Sequence, residues 1–212
     1  DVLTQGRNTY LSIRAIDNGA FLHRIFLTNN VDCKFCYLTF HNELDRLYVE
    51  SIRKPRKMEP DTLFSVIAFS VLPLKLLGHI EFTASIFGKS LKEIGFCAGD
   101  ILVTLYGSNN ENCRACLYDF NAILHDDNRL FDMALYEFCP EMGSYVGQSP
   151  LGIPVNFRIK KLPPMLMQVN CCSDSIEFSP LPKIYLFSTP KMSGQFQVYD
   201  VFTHRLIGTV GV

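Results

Sequence analysis

The fold is decided by residues 10–25, Tyr10-Leu11-Ser12-Ile13-Arg14-Ala15-Ile16-Asp17-Asn18-Gly19-Ala20-Phe21-Leu22-His23-Arg24-Ile25. Apolar and polar residues alternate from Tyr10, break at Asp17-Asn18-Gly19, and alternate again from Phe21. A period of two is the strand period, and Asn-Gly supplies the two positive-φ positions of a tight hairpin. The same grammar repeats outward. Phe35 to Phe40 and Leu47 to Ser51 form a second pair around His41-Asn42-Glu43, and Leu63 to Leu72 and Leu76 to Phe82 a third, split by Pro73. Asp100 to Tyr106 and Arg114 to Phe120 form a fourth across Gly107 to Glu111. Residues 125–154 are less regular, with Leu130 to Phe138 expected as a short helix before a Gly/Ser/Pro loop. Strands resume at Val155 to Ile159, Met165 to Val169, Lys183 to Ser188, Gln195 to Val201 and Arg205 to Val210.

The chain has 212 residues, a formal charge of −1 at pH 7, 48% hydrophobic and 19% charged residues, and no Trp. That length suits one large domain or two small ones, and a chain of this size hides about 70% of its unfolded surface. Disorder needs the opposite balance of charge and apolarity. General nucleic-acid binding needs a positive field that this chain lacks. Eight cysteines are too sparse for a small secreted disulfide scaffold, so they are expected to stay reduced inside the cell. Asp1 to Gly6 hold neither an initiator Met nor a basic and apolar leader, and the chain reads as a piece of something longer.

A faint internal repeat is present. Ile13 to Leu22 can be laid over Val198 to Ile207, and Leu117 to Ala122 over the first part of the latter. The starts lie 104 and 81 residues apart, near two lengths of a propeller blade of about 40–50 residues. Strand, small polar turn, strand is how a WD-type blade ends. The expected fold is therefore all-β: a partial WD-like β-propeller spanning 1–212, with about four antiparallel blades and an open ring. Residues 125–154 are then an irregular insertion or long inter-blade loop. Edge strands at both ends of such an arc need partners.

Chemistry-bearing motifs are few. Cys33-Lys34-Phe35-Cys36 and Cys113-Arg114-Ala115-Cys116 are two Cys-x-x-Cys pairs, candidate zinc ligands or redox centres. Their separation far exceeds that of a compact zinc ribbon, and i and i+3 on a strand point to opposite faces. Cys97, Cys139, Cys171 and Cys172 read as buried or incidental thiols. The five histidines form no triad or ligand spacing, and Asp126-Asp127 with Asp132 reads as a solvated loop. There is no P-loop, dinucleotide fingerprint or nucleophile elbow, so no catalytic residue, cofactor or enzymatic activity is expected. Leu63 to Phe82 is apolar enough to trip a hydropathy window, which would attach a membrane label. Pro73, Lys75, Gly78 and His79 interrupt it, and two buried strands around a proline turn explain it better than a span. Arg53-Lys54-Pro55-Arg56-Lys57 is a candidate nuclear-import loop, the four cations being Arg53, Lys54, Arg56 and Lys57.

Four stretches carry a likeness beyond these motifs. They are Tyr10 to Leu27 with Cys33 to Leu38; Ala68 to Gly78 with Ile86-Phe87-Gly88; Gly99 to Tyr106 with Leu117 to Phe120; and Ser149 to Ile159 with Leu162 to Leu166. Phe69 to Gly78, Pro150 to Ile159 and Leu162 to Leu166 are the most specific. In that order they resemble the damage-specific DNA-binding protein 1 and cullin-4-associated factor 17 family, over about residues 5–170. The resemblance implies a non-catalytic WD-like propeller, a substrate receptor of a cullin-4 RING ubiquitin ligase. Its partners would be the ligase adaptor, damage-specific DNA-binding protein 1, and an unknown protein substrate, and it implies membrane labels from hydropathy; that no direct nucleic-acid or membrane contact is expected rests on the charge and the interrupted apolar run above. The resemblance further implies a nuclear, often nucleolar, location and an Arg where this chain has Cys36. The Trp-Asp-x-Arg docking motif of many such receptors cannot occur in a chain without Trp, which leaves the docking surface unassigned. A propeller scaffold in a nuclear complex without ligase contact is the alternative, and a zinc or redox protein built on the Cys-x-x-Cys pairs the third.

Overall fold

The computed structural model describes residues 1–30, 33–41, 44–52, 61–97, 101–107, 113–131, 138–139, 144–145, 151–171, 176–179, 184–188, 195–200 and 203–211. In chain order the strands begin with β1 (Val2–Gln5), β2 (Asn8–Arg14), β3 (Phe21–Thr28), β4 (Phe35–His41) and β5 (Arg46–Ser51). Then come β6 (Thr62–Val71), β7 (Leu74–Thr83), β8 (Leu91–Cys97), β9 (Ile101–Gly107) and β10 (Cys113–Asp119). The short β11 (Phe138–Cys139), β12 (Ser144–Tyr145) and β13 (Phe157–Arg158) precede β14 (Met165–Cys171), β15 (Ile176–Ser179), β16 (Ile184–Ser188), β17 (Gln195–Asp200) and β18 (Leu206–Gly211). Single-turn helices α1 (Ala84–Phe87) and α2 (Phe120–Ile123) follow β7 and β10. The chain is all-β. Among the described residues the strands form five open sheets, antiparallel apart from one short parallel pairing, ordered β1-β2-β3, β13-β7-β6-β5-β4, β14-β10-β9-β8, β11-β12 and β15-β16-β17-β18.

Two compact units are present, Asp1–Ile86 with Leu124–Lys160, and Phe87–Ile123 with Lys161–Val212. In the first, sheet β1-β2-β3 faces the sheet of β4 to β7. Leu11, Ile25 and Leu27 from one meet Phe35, Val49, Ile67 and Phe69 from the other, with Cys33 and Ile153 among them. Each such side chain contributes about 1.5–3 kcal/mol on burial. β6 is buried on both sides (Val66, Ile67, Ala68 and Phe69 are all fully buried). This explains why Leu63 to Leu72 reads as a continuous apolar run rather than an alternating one. The stretch Leu63 to Phe82 is thus the β6–β7 antiparallel pair turning at Leu72-Pro73, as its sequence suggests. Among the described residues, no helix is long and apolar enough to cross a membrane.

In the second unit, β9, β10 and β14 contribute Val103, Leu105, Ala115, Leu117, Val169 and Cys171 to one core face, against which Tyr199 of β17 packs. Leu91 and Phe96 of β8, Leu102 and Tyr118 are buried as well, and the Phe96 ring meets Phe120 of α2 edge-on at 4.9 Å.

The internal repeat reappears as backbone geometry. The turn between β2 and β3 is closed by Ala15 N–H donating to Ala20 O (2.9 Å) and Gly19 N–H to Ala15 O (3.0 Å). The turn between β17 and β18 is closed identically, Asp200 N–H to Arg205 O (3.0 Å) and His204 N–H to Asp200 O (2.9 Å). Gly19 and His204 both take the left-handed conformation, φ 69° and 56°. One expectation is corrected here. Asn18 is not left-handed, so the hairpin closes through a longer loop with one left-handed residue, its Asn18 Oδ1 accepting from Ala20 N–H at 2.8 Å. The register also slips at equivalent places, between Ile13 and Arg14 and between Val198 and Tyr199. It slips again between Leu117 and Tyr118, where β10 pairs with β14. At that third copy α2 and residues 124–160 take the place of the tight turn. Leu130 and Phe131, where a helix was expected to start, are not helical, and 132–137 lie outside the described residues.

Candidate interaction site

The most constrained part of the first unit is built by residues 151–158, which reach both of its larger sheets. On one side the segment bridges β3. Ile153 N–H donates to Leu27 O (2.9 Å), Asn29 N–H donates to Leu151 O (3.1 Å), and Gly152 pairs with Thr28. On the other side β13 lies parallel to β7, with Phe157 opposite Ile80 and Arg158 opposite Glu81. His79 joins the two. Its backbone N–H donates to Asn156 Oδ1 (2.7 Å), its carbonyl accepts from Asn156 N–H (3.1 Å), and its ring Nδ1 lies 2.8 Å from Ile153 O. A carbonyl can only accept, so Nδ1 carries the proton. Phe35 packs against the same ring at 5.9 Å. The Phe157 ring covers Gly78, where an added Cβ would sit 2.7 Å from its Cδ2, and the Arg129 guanidinium lies 5.5 Å from the ring centre. Glu81, nearly buried, accepts from the Thr62 hydroxyl (3.3 Å) and faces Arg158 at 3.5 Å. The segments Phe69 to Gly78 and Pro150 to Ile159 that carry the sequence likeness therefore meet in one unit. The sequence alone assigns no role to His79, one of five histidines without a triad or ligand spacing, nor to Asn156, which stands only within the Pro150 to Ile159 likeness. A histidine inside an apolar strand was the available signal, since a buried ring nitrogen needs a partner.

The Cys-x-x-Cys pairs do not converge. Cys33 is buried in the first unit's core whereas Cys36 is exposed on β4. Cys113 faces the second unit's core with Ala115 and Leu117, and Cys116 points to the opposite side of β10. This is the strand alternation anticipated for i and i+3. Among the described residues no group of three or more His, Cys, Asp or Glu is placed to hold a metal ion.

Cys116 instead joins a polar cluster on β9 and β10. The Thr104 hydroxyl donates to Cys116 O (3.1 Å), the Cys116 thiol to Gln168 Oε1 (3.9 Å), Tyr118 lies beside Tyr106 and Cys116, and the Arg114 guanidinium lies 5.1 Å over the Tyr106 ring. Burial pushes the Cys116 thiol up against the opposing pull of Arg114, so it stays protonated near neutrality and is a poor nucleophile or ligand. Burial likewise holds the Tyr118 phenol far above its ordinary range, Tyr106 and Cys116 adding to the effect. An acid raised in the folded state stabilises below its unfolded value, near 10 for tyrosine, and that stability is lost as pH rises past it. Tyr118→Phe is therefore expected to cost about 1 kcal/mol at pH 8 and to flatten the alkaline fall in stability. Urea midpoints at pH 8 and about pH 11 check this, and an unchanged alkaline fall would exclude Tyr118 as its source.

Some exposed apolar side chains lie on strands at the ends of sheets, Tyr37 and Phe40 on β4, Met165 and Leu166 on β14, and Leu206, Ile207 and Val210 on β18, and others in turns and loops, such as Ile16, Leu72 and Leu151. Arg53, Lys54, Arg56 and Lys57 lie outside the described residues.

A family model described as DDB1- and CUL4-associated factor 17 matches residues 1–211. The chain belongs to this family. Relatives named DDB1- and CUL4-associated factor 17 include one from Danio rerio, 25% identical over 197 residues, covering 88% of this chain and 36% of the relative. The Rattus norvegicus relative is 27% identical over 193 residues (86% and 36%), and the Homo sapiens relative 26% over 191 residues (86% and 35%). The chain thus spans about a third of the length of these family members.

Proposed function

We propose that this chain is part of a non-catalytic substrate receptor of a cullin-4 RING E3 ubiquitin ligase, in the form of a WD-like β-propeller segment. Family membership carries the ligase reading, because the relatives are named for association with DDB1 and CUL4. The propeller reading is supported by the repeated turn and register slip of β2–β3 and β17–β18. Face-to-face packing of the two larger sheets of the first unit also supports it. The mechanism is positional: one surface holds the adaptor, another the substrate, and ubiquitin transfer occurs on other subunits. Exposed strand edges and loop tips supply such surfaces.

The test is co-purification of the full-length protein, tagged, with the adaptor and cullin-4 from cells. Both are expected in stoichiometric amounts, and their repeated absence would leave a scaffold without ligase contact. We place the complex in the nucleus, including the nucleolus, with Arg53, Lys54, Arg56 and Lys57 as the import signal. Replacing all four by Ala is expected to move the tagged protein to the cytoplasm under the microscope. An unchanged nuclear signal would remove that role from the loop.

A further inference from the structure

We propose that the outer face of sheet β1-β2-β3 docks an acidic peptide of a partner protein, one of whose carboxylates seats over Ser12 between Arg14 and Arg24. Strand alternation separates the two faces of this sheet. Leu11, Ile25 and Leu27, with Val2 and Ile13, turn to the core. Tyr10, Ser12 and Arg14 of β2 therefore share the other face, where Phe26 stands opposite Tyr10, Arg24 opposite Ser12 and Phe21 opposite Arg14. Leu3 joins them opposite Tyr10 on the β1 side, and the Asp1 carboxylate reaches Arg14. One group on this face lacks what it needs. Ser12 is 4% exposed, and its hydroxyl has no hydrogen-bond partner, whereas buried polar groups are normally paired.

The internal repeat shows what is missing. The register slip between Ile13 and Arg14 matches that between Leu117 and Tyr118, which aligns Ser12 with Cys116 and their cross-strand partners Arg24 and Gln168. There the Cys116 thiol donates to Gln168 Oε1 at 3.9 Å. Here the donor is kept but its partner is a cation, and a guanidinium can only donate. Arg24 lies 4.5 Å over the Tyr10 ring and donates to Gln5 Oε1 at 3.1 Å, while the Asp1 carboxylate is held 3.5 Å from Arg14. An incoming oxyanion restores the pair, accepting from Ser12 and from both guanidiniums in charge-assisted hydrogen bonds. Both arginines are exposed, and a rotamer change of picoseconds to nanoseconds uncovers the hydroxyl. Charge and shape identify the occupant. None of the three strands carries an acidic residue, against Arg14 and Arg24, and Asp1 shows that Arg14 takes a carboxylate on this face. Around the arginines the surface is open and apolar: Leu3 and Phe21 are 41% and 53% exposed, and the Tyr10 and Phe26 rings meet at 5.4 Å. A free anion leaves those groups bare; a peptide with apolar residues beside its carboxylates covers them. The site belongs to one sheet and is independent of whether the chain meets a ligase adaptor.

The experiment measures fluorescence anisotropy of a labelled peptide, Gly-Glu-Phe-Glu-Phe-Glu-Gly, on the purified full-length protein, with Gln in place of every Glu as the control. The acidic peptide is expected to bind about tenfold or more tighter than the neutral one. Arg14→Gln combined with Arg24→Gln should abolish that difference. Ser12→Ala should weaken the acidic peptide by about threefold or more and leave the neutral one unchanged. It should not lower the thermal midpoint, because the hydroxyl it removes has no partner. Equal binding of the two peptides, or binding of neither, overturns the proposal, as does an acid preference that survives in the double variant. Full displacement by inorganic phosphate at the peptide's own concentration also overturns it, since the site then holds a free anion. Should the double variant fail to fold, the effect of Ser12→Ala on the acidic peptide decides.

Discussion

Gly152→Ala will destabilise the first unit by about 3–5 kcal/mol, a large share of the 5–15 kcal/mol that holds a domain together. Two effects add. The Gly152 φ of 113° is one that L side chains rarely adopt. The new Cβ would also lie 2.3 Å from Leu27 O and 2.5 Å from Thr28 Cα. Both contacts are backbone, so no side chain can swing aside. Relief requires the segment to lift from β3, which breaks the Ile153–Leu27 and Asn29–Leu151 hydrogen bonds. The exposed ends of the unit's two sheets would then lose the connection that 151–158 supplies. Thermal denaturation should show a midpoint lowered by about 10 °C or more. Gly95→Ala is the control, since its added Cβ meets nothing within 4 Å and its φ is ordinary. Equal stability of the two variants would contradict the structure at β3.

The second large effect is at Phe157. The side chain is 1% exposed, so Phe157→Ala should cost about 3–5 kcal/mol through lost burial and the cavity left behind. Gly78 makes the contact testable as a pair. Gly78→Ala alone forces its Cβ against the Phe157 ring and should cost about 1–3 kcal/mol. In a Phe157→Ala background the ring is gone and the same methyl helps fill the space. The double-mutant cycle should therefore return a coupling of about 1–3 kcal/mol, with the double variant more stable than the sum of the two losses. Strict additivity would mean that Phe157 does not cover Gly78.

Much of the local structure was legible because it depends on local rules. Alternation placed β2 and β3, Pro73 placed the β6–β7 turn, and the i, i+3 geometry of Cys33 and Cys36 put them on opposite faces. The weak match of Ile13 to Leu22 with Val198 to Ile207 proved to be a repeat of hydrogen bonds and register, because Ala15 and Asp200 occupy the same turn position. What escaped sequence reading lies in long-range contacts. The β13–β7 pairing joins residues 77 apart, and two-residue strands leave no periodicity to detect. Gly152 looks like one more loop glycine between Leu151 and Ile153; only the approach of Leu27 makes it obligatory. Asn18-Gly19 predicted a tighter turn than forms, since the flanking strands accept a longer loop with a single left-handed residue. The place of β4 at the end of its sheet was also hidden. A strand's sequence states its two faces, whereas its place in the sheet order is decided by neighbours.

The most direct measurement of the receptor reading is the mass, by light scattering after gel filtration, of a mixture of purified full-length protein and purified adaptor. The expected result is a shared peak whose mass equals whole numbers of both chains, retained when cullin-4 is added. Separate elution of the two at micromolar concentrations, with the receptor chain folded, would contradict it.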